Sequence, residues 1–234
     1  VEKRRESYRS VKRKLHQLLK EVPFKEEKLL EQFENPGVLI SPLFSFFCSS
    51  DLLVRWHAVT ALGVVVSAIA KSQAEQARTV VRRLMWQLND ESGGIGWGCA
   101  EAMGEILARC DWLAEEYHRI LISYIDPEGN LLEHEPLLEG AMWGTARLCS
   151  VRPELCKRAI DISVAYVQKD RPYIRVCAGL MLCFSGESKL VEMAVEETKR
   201  DDRIIDFYWQ GAIHRCRVSE CLKSVGCQKM TSTS

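Results

Sequence analysis

The chain has 234 residues, a hydrophobic fraction of 47%, and 32 basic against 32 acidic residues. That is enough apolar material for a sizeable core, with no global field to draw in nucleic acid or an anionic membrane. No run of about 18 uncharged apolar residues appears, the longest stretch, Ala58 to Ala70, being short and carrying Thr60 and Ser67, so no membrane partner is expected.

In chain order, residues 1–20 come first, with eight basic residues against Glu2 and Glu6. They read as a basic helix with a solvated face, and residues 1–35 as an N-terminal helical cap. The start, Val-Glu-Lys-Arg-Arg, lacks the apolar stretch of a secretory signal. Pro23 and Pro36-Gly37 then interrupt the helical pattern.

A repeat follows. The segment Val54-Arg55-Trp56-His57-Ala58-Val59-Thr60-Ala61-Leu62-Gly63, shifted by 41 residues, meets Ile95-Gly96-Trp97-Gly98-Cys99-Ala100-Glu101-Ala102-Met103-Gly104. A second step of 41 reaches Leu138, Gly140, Trp143 and Thr145, although a one-residue gap would match Gly144 to the glycines instead. Ile174-Arg175-Val176-Cys177-Ala178 forms a further copy with Cys183 at the glycine position, and Trp209, Gly211 and Cys216 a degraded last one. Small residues at recurring places let paired helices approach, and stacked pairs bury a continuous core. Between these copies lie amphipathic segments. Over 75–88 the apolar set is Ala77, Val80, Val81, Leu84, Met85 and Leu88, a 3.6-residue period. Leu113, Tyr117, Ile120, Leu121 and Tyr124 repeat it over 112–125, and Leu155, Ala159, Ile162, Tyr166 and Val167 over 153–168. No alternating run bounded by hairpin turns appears, so no strand is expected.

The fold class is therefore all-α, an α-α superhelix of about five helix pairs over residues 36–217, with residues 218–234 as a C-terminal tail. The pattern Val-Arg-x-x-Ala-x-x-Ala-Leu-Gly at 54–63, preceded by Asp51, resembles the prokaryotic HEAT-like repeat also found in phycobilisome lyases. The resemblance spans roughly residues 36–217 and implies a helix-pair solenoid. Members of that family act as scaffolds, adaptors, lyase subunits, DNA glycosylases and a di-iron hydroxylase, so the fold alone does not give a function.

Several constellations carry candidate chemistry. Between Asn89, Asp90, Glu91 and Trp97 the chain is rich in glycine up to Gly98, which could uncover backbone N–H groups for an anion or simply form a tight turn. Trp56, Trp97 and Trp209 each precede a small residue by seven positions, which is two helical turns and argues for core packing. Equivalent positions His57, Gly98 and Glu139, with Thr60, Glu101 and Glu105, fall on one angular stripe. They read as a polar, mostly acidic ridge with a notch at Gly98. His57 with the three glutamates has the chemistry of a metal set. The di-iron relatives use several His-Glu pairs in register, however, and only His134-Glu135 occurs here, out of register. Cys216, Cys221 and Cys227 lack CxxC spacing. No catalytic residue, metal or cofactor is assigned.

Most of the ten cysteines, Cys99, Cys177 and Cys183 among them, sit among apolar neighbours, where a free thiol behaves as a small hydrophobe. That points to a reducing, cytoplasmic setting without a disulfide framework. The reading is a non-enzymatic scaffold or adaptor for protein–protein interaction, holding a partner's basic segment through His57, Asn89, Asp90, Glu91, Trp97, Gly98, Glu101, Glu105 and Glu139. The alternative is a lyase-like or metal-dependent enzyme using the glycine-rich notch and acidic ridge. Nucleic-acid binding ranks last, because phosphate contacts need a basic surface.

Overall fold

A computed structural model describes residues 7–89 and 96–225. Four helix pairs make the body: α4 (Leu52–Ala70) with α5 (Ala74–Leu88), α6 (Cys99–Arg109) with α7 (Asp111–Ser123), α8 (Glu135–Cys149) with α9 (Lys157–Tyr166), and α10 (Pro172–Phe184) with α11 (Ser188–Thr198). They form two layers. The inner helices pack consecutively, α4 on α6, α6 on α8 and α8 on α10. The outer ones carry the amphipathic periods, as when Ala77, Val80, Val81, Leu84 and Leu88 bury one face of α5. Ahead of the array stand α1 (Tyr8–Leu19), α2 (Glu27–Gln32), a 3-10 turn at Pro36–Leu39 and α3 (Ile40–Phe46). Asp51 caps α4, its Oδ1 accepting from the N–H groups of Leu53 at 3.0 Å and Val54 at 3.3 Å.

The array is an all-α solenoid, but the expected last copy folds otherwise. Residues Ile204–Trp209 form β1 and Ala212–Arg217 form β2, an antiparallel hairpin in which Trp209 pairs with Ala212 and Ile204 with Arg217. This corrects the expectation that strands are absent and that Trp209, Gly211 and Cys216 mark a repeat. The cause is local. The run Ile204–Trp209, rich in β-branched and aromatic residues, is joined to Ala212–Arg217 by Gln210 and Gly211, with φ of 49° and 85°. A two-residue hairpin turn of type I′ needs positive φ at both places. Likewise residues 218–225, expected to begin a tail, include α12 (Val218–Ser224), whose Val218, Cys221 and Leu222 are buried and which packs on α10.

Helix α4, with a mean hydropathy of 1.8, is by length and composition apolar enough to cross a membrane; here it is the first inner helix of the array, with 72% of that window buried in the fold. Among the described residues, eight cysteines are free thiols, six of them buried. Cys183 departs from the expected pattern and is disulfide-bonded.

The glycines fix how closely the inner helices approach. A Cβ on Gly104 would lie 2.2 Å from the Gly144 carbonyl oxygen, and one on Gly144 would lie 2.4 Å from that of Ala100. Helices α6 and α8 therefore touch backbone to backbone, and Gly144, not Gly140, is the residue stacked on Gly104. Gly104→Ala is expected to destabilise the chain by about 1–3 kcal/mol through overpacking, read as a lower urea midpoint. An unchanged midpoint would mean that the two backbones do not touch.

Candidate functional site

The inner face of the solenoid is partly covered by the chain's own ends. From the C-terminal side, the Tyr208 ring lies flat on Trp56, centroids 4.8 Å apart and planes 7° off parallel. Its hydroxyl is 2.9 Å from Thr60 Oγ1, and its carbonyl accepts from Trp143 Nε1 at 2.7 Å. From the N-terminal side, Phe24 stacks on His57 at 4.7 Å. Glu26 accepts two bonds from the Arg109 guanidinium, at 2.8 and 2.7 Å. Trp56 and Trp143 thus belong to an aromatic core that the hairpin completes.

Two cavities flank the hairpin. The larger, about 440 Å³, is lined by Thr60, Glu105, Arg109, Trp143, Arg147 and Tyr208 among others. Its buried acid is already satisfied. Glu105 is 3% exposed and accepts from Arg109 Nε and Arg147 Nε, both at 2.7 Å. A buried carboxylate needs such partners, since removing them would strand a charge away from water.

The smaller cavity, about 290 Å³, lies where the N-terminal turns of the inner helices meet. Arg55 and Trp56 of α4, Trp97 and Glu101 at the start of α6, Glu139 of α8, Tyr173 of α10 and Asp206 of β1 form its walls. Gly98 heads α6 with φ of 72°, and a Cβ there would sit 2.9 Å from the Phe47 ring, so both conformation and space require glycine. Gly140 serves the cavity differently: a Cβ would lie 2.6 Å from the Glu101 carboxyl carbon. The missing side chain makes room for that carboxyl group.

Neither Glu101 nor Glu139 has an ion-pair partner among the described residues, whereas Asp206 meets Arg215 at 3.5 Å. Desolvation raises the Glu101 carboxyl to about 7, with Glu139 adding repulsion and Arg55 opposing it. Desolvation raises Glu139 as well, helped by Glu135. The thiols offer no activated nucleophile among Cys99, Cys149, Cys177 and Cys221, because burial pushes all four up. No group of three His, Cys, Asp or Glu side chains stands close enough to hold a metal ion among the described residues.

The structure therefore sorts the residues singled out in the sequence. Trp97, Gly98, Glu101 and Glu139 come together in the smaller cavity. Glu105 is buried in the arginine network. His57 is fully buried, with Nδ1 2.7 Å from the Leu19 carbonyl oxygen, and burial lowers its pKa. Both are covered rather than presented on a solvent-facing ridge. Asn89 is exposed and closes α5, donating to the Met85 carbonyl at 3.0 Å and to the Tyr124 hydroxyl at 3.2 Å. Asp90 and Glu91 lie outside the described residues. Arg55, Tyr173 and Asp206 were not singled out. Arg55 could have been found, since an arginine recurs at 175 in the matching copy. Asp206 could not, because it sits on the strand that was not expected.

No family model matches this chain, and no curated protein does. Solved structures do. A designed armadillo repeat protein superposes with a TM-score of 0.50 at 17% identity, over 87% of this chain and 90% of that one. An engineered protein solved as a structural-genomics target gives 0.53 at 14% identity, over 99% and 96%. Both share the fold. The chain is a helical-repeat solenoid.

The raised Glu101 carboxyl makes stability depend on pH. The folded chain holds this proton up to about 7, whereas a free glutamate carboxyl loses it near 4.5, so the folded state binds more protons in between. Stability must then fall as pH rises through that window, by up to about 3 kcal/mol. Glu101→Gln is expected to be more stable than wild type at pH 8 and nearly equal to it at pH 4.5, by denaturant titration. Equal stabilities at both values would show that the carboxyl is not held away from water.

Proposed function

We propose that this chain is a non-enzymatic scaffold or adaptor of HEAT type that holds a basic segment of a protein partner on its inner face. The observation that carries this reading is the pair of carboxylates, Glu101 and Glu139, that line the smaller cavity without an ion-pair partner among the described residues. The fold supports it, since a solenoid offers an extended curved surface and stacked helices leave clefts between their ends. The chemistry of the walls supports it too. Aromatic faces next to carboxylates attract cations. A cytoplasmic partner suits the mostly free thiols.

The test is fluorescence anisotropy of labelled hepta-lysine, hepta-arginine and hepta-glutamate against the full chain. Basic peptides are expected to bind, more weakly as salt rises, and the acidic one not to bind. The double variant Glu101→Gln with Glu139→Gln should weaken the basic peptides about tenfold or more, with unchanged helicity by circular dichroism. Equal binding of basic and acidic peptides, or full retention in the double variant, would overturn the reading.

A further inference from the structure

The smaller cavity says more than that a cation is welcome. Resting on the reading of the inner face as a surface for a basic segment, we propose that this cavity receives one arginine side chain of the partner. Its guanidinium would lie among Trp56, Trp97 and Tyr173 and donate to the carboxylates of Glu101 and Glu139.

Size is the first argument. At about 290 Å³ the cavity stands at the low end of the range for small-molecule sites, roughly 300–1,000 Å³. It suits a single long side chain, and it is too narrow for a helix of about 10 Å diameter.

The mixture of walls decides which side chain. Three aromatic residues and two unpaired carboxylates meet in one space. A guanidinium is planar and weakly hydrated, stacks on aromatic faces, and presents a fork of N–H groups that fits carboxylates. It satisfies both kinds of wall at once. A lysine ammonium is a strongly hydrated point charge and would lose its water against Trp97 and Tyr173. A trimethylated ammonium would use the rings but has no N–H to give to the two carboxylates.

The carboxylates are also placed rather than incidental. Glu101 is held where Gly140 lacks a side chain, with its carboxyl carbon 2.6 Å from the position a Cβ would take. Glu105, one turn further on the same helix, has two arginines within 2.7 Å. Glu101 has none, so the cation that would match it must come from outside the described fold. Arg55 shares the cavity wall and opposes an incoming cation, but Glu101 and Glu139 outnumber it, Asp206 being paired with Arg215. Glu135 and Arg171 neutralise each other near Glu139, 3.4 Å apart.

The experiment uses the full chain and four labelled heptapeptides, of arginine, lysine, trimethyl-lysine and citrulline, in the same buffer. Citrulline keeps the shape of arginine and removes its charge. Hepta-arginine is expected to bind about tenfold or more tighter than hepta-lysine, and citrulline not at all. Trp97→Leu, Glu101→Gln and Gly140→Ala should each erase the preference for arginine over lysine. Trp97 and Glu101 are only partly buried, so two of these variants leave the core intact, and circular dichroism checks all three. Equal binding of arginine and lysine, with both lost in the Glu101→Gln, Glu139→Gln double variant, would overturn the arginine pocket and leave the basic-segment reading standing. Tighter binding of trimethyl-lysine than of arginine would also overturn it. Binding of no basic peptide would overturn both.

Discussion

The contact between α6 and α8 governs what the inner face can hold. Gly104 and Gly144 leave no Cβ between the two helices, and their backbones meet. Neighbouring side chains must then find space where the facing helix is also bare. Glu105 does so over Gly63, where a Cβ would be 2.7 Å from its Cγ, and Glu101 does so over Gly140. The recurring glycines therefore have two tasks. They set the helix spacing, and they leave hollows in which α6 can point carboxylates sideways along the inner face rather than out into water.

Those two carboxylates meet different fates, and the reason lies in the chain ends. The hairpin and the segment around Phe24 fold across the middle of the inner face. They cover one face of Trp56, seal Trp143 and His57 from water and bring Glu26 to Arg109. Glu105 falls under this cover and is fixed by Arg109 and Arg147. Glu101 lies beyond the edge of it, toward the N-terminal turns, and keeps an opening. The same helix thus supplies one structural charge and one available charge, separated by a single turn.

This division shows what the sequence could and could not convey. The outer helices were legible because their faces are half exposed, so Val80, Val81, Leu84 and Leu88 alternate with charge at the helical period. The inner stripe was legible as a stripe, from the 41-residue register of His57, Gly98 and Glu139 and that of Thr60 and Glu101. Its covering was not, because Phe24 and Tyr208 reach it from outside the repeat. The hairpin itself escaped notice for a physical reason. Phe207, Tyr208 and Trp209 are all buried, one side against Tyr173 and Phe184 and the other against Trp56 and Trp143. A strand covered on both faces loses the alternation that marks it. Its Trp, Gly and Cys happened to fit the helical register instead.

An unpaired carboxylate in a cavity needs an account of what keeps it there. Glu101 lies in the first turn of α6 and Glu135 in that of α8, where the positive end of each helix dipole favours negative charge. Such an effect is worth about 0.3–1 kcal/mol at exposed positions. The desolvation it must offset is larger, several kcal/mol for a fully buried ion, and the upward displacement of the Glu101 carboxyl shows that the balance remains unfavourable. Arg55 is near enough to help but makes no ion pair with it, while Glu105 obtains two. A fold that could have paired Glu101 from α4 and instead leaves it open beside Trp97 and Tyr173 gives up stability at this place. A cation entering from outside would recover that cost, which is the ground for proposing binding at Glu101 and Glu139 rather than at the better-packed acid one turn away.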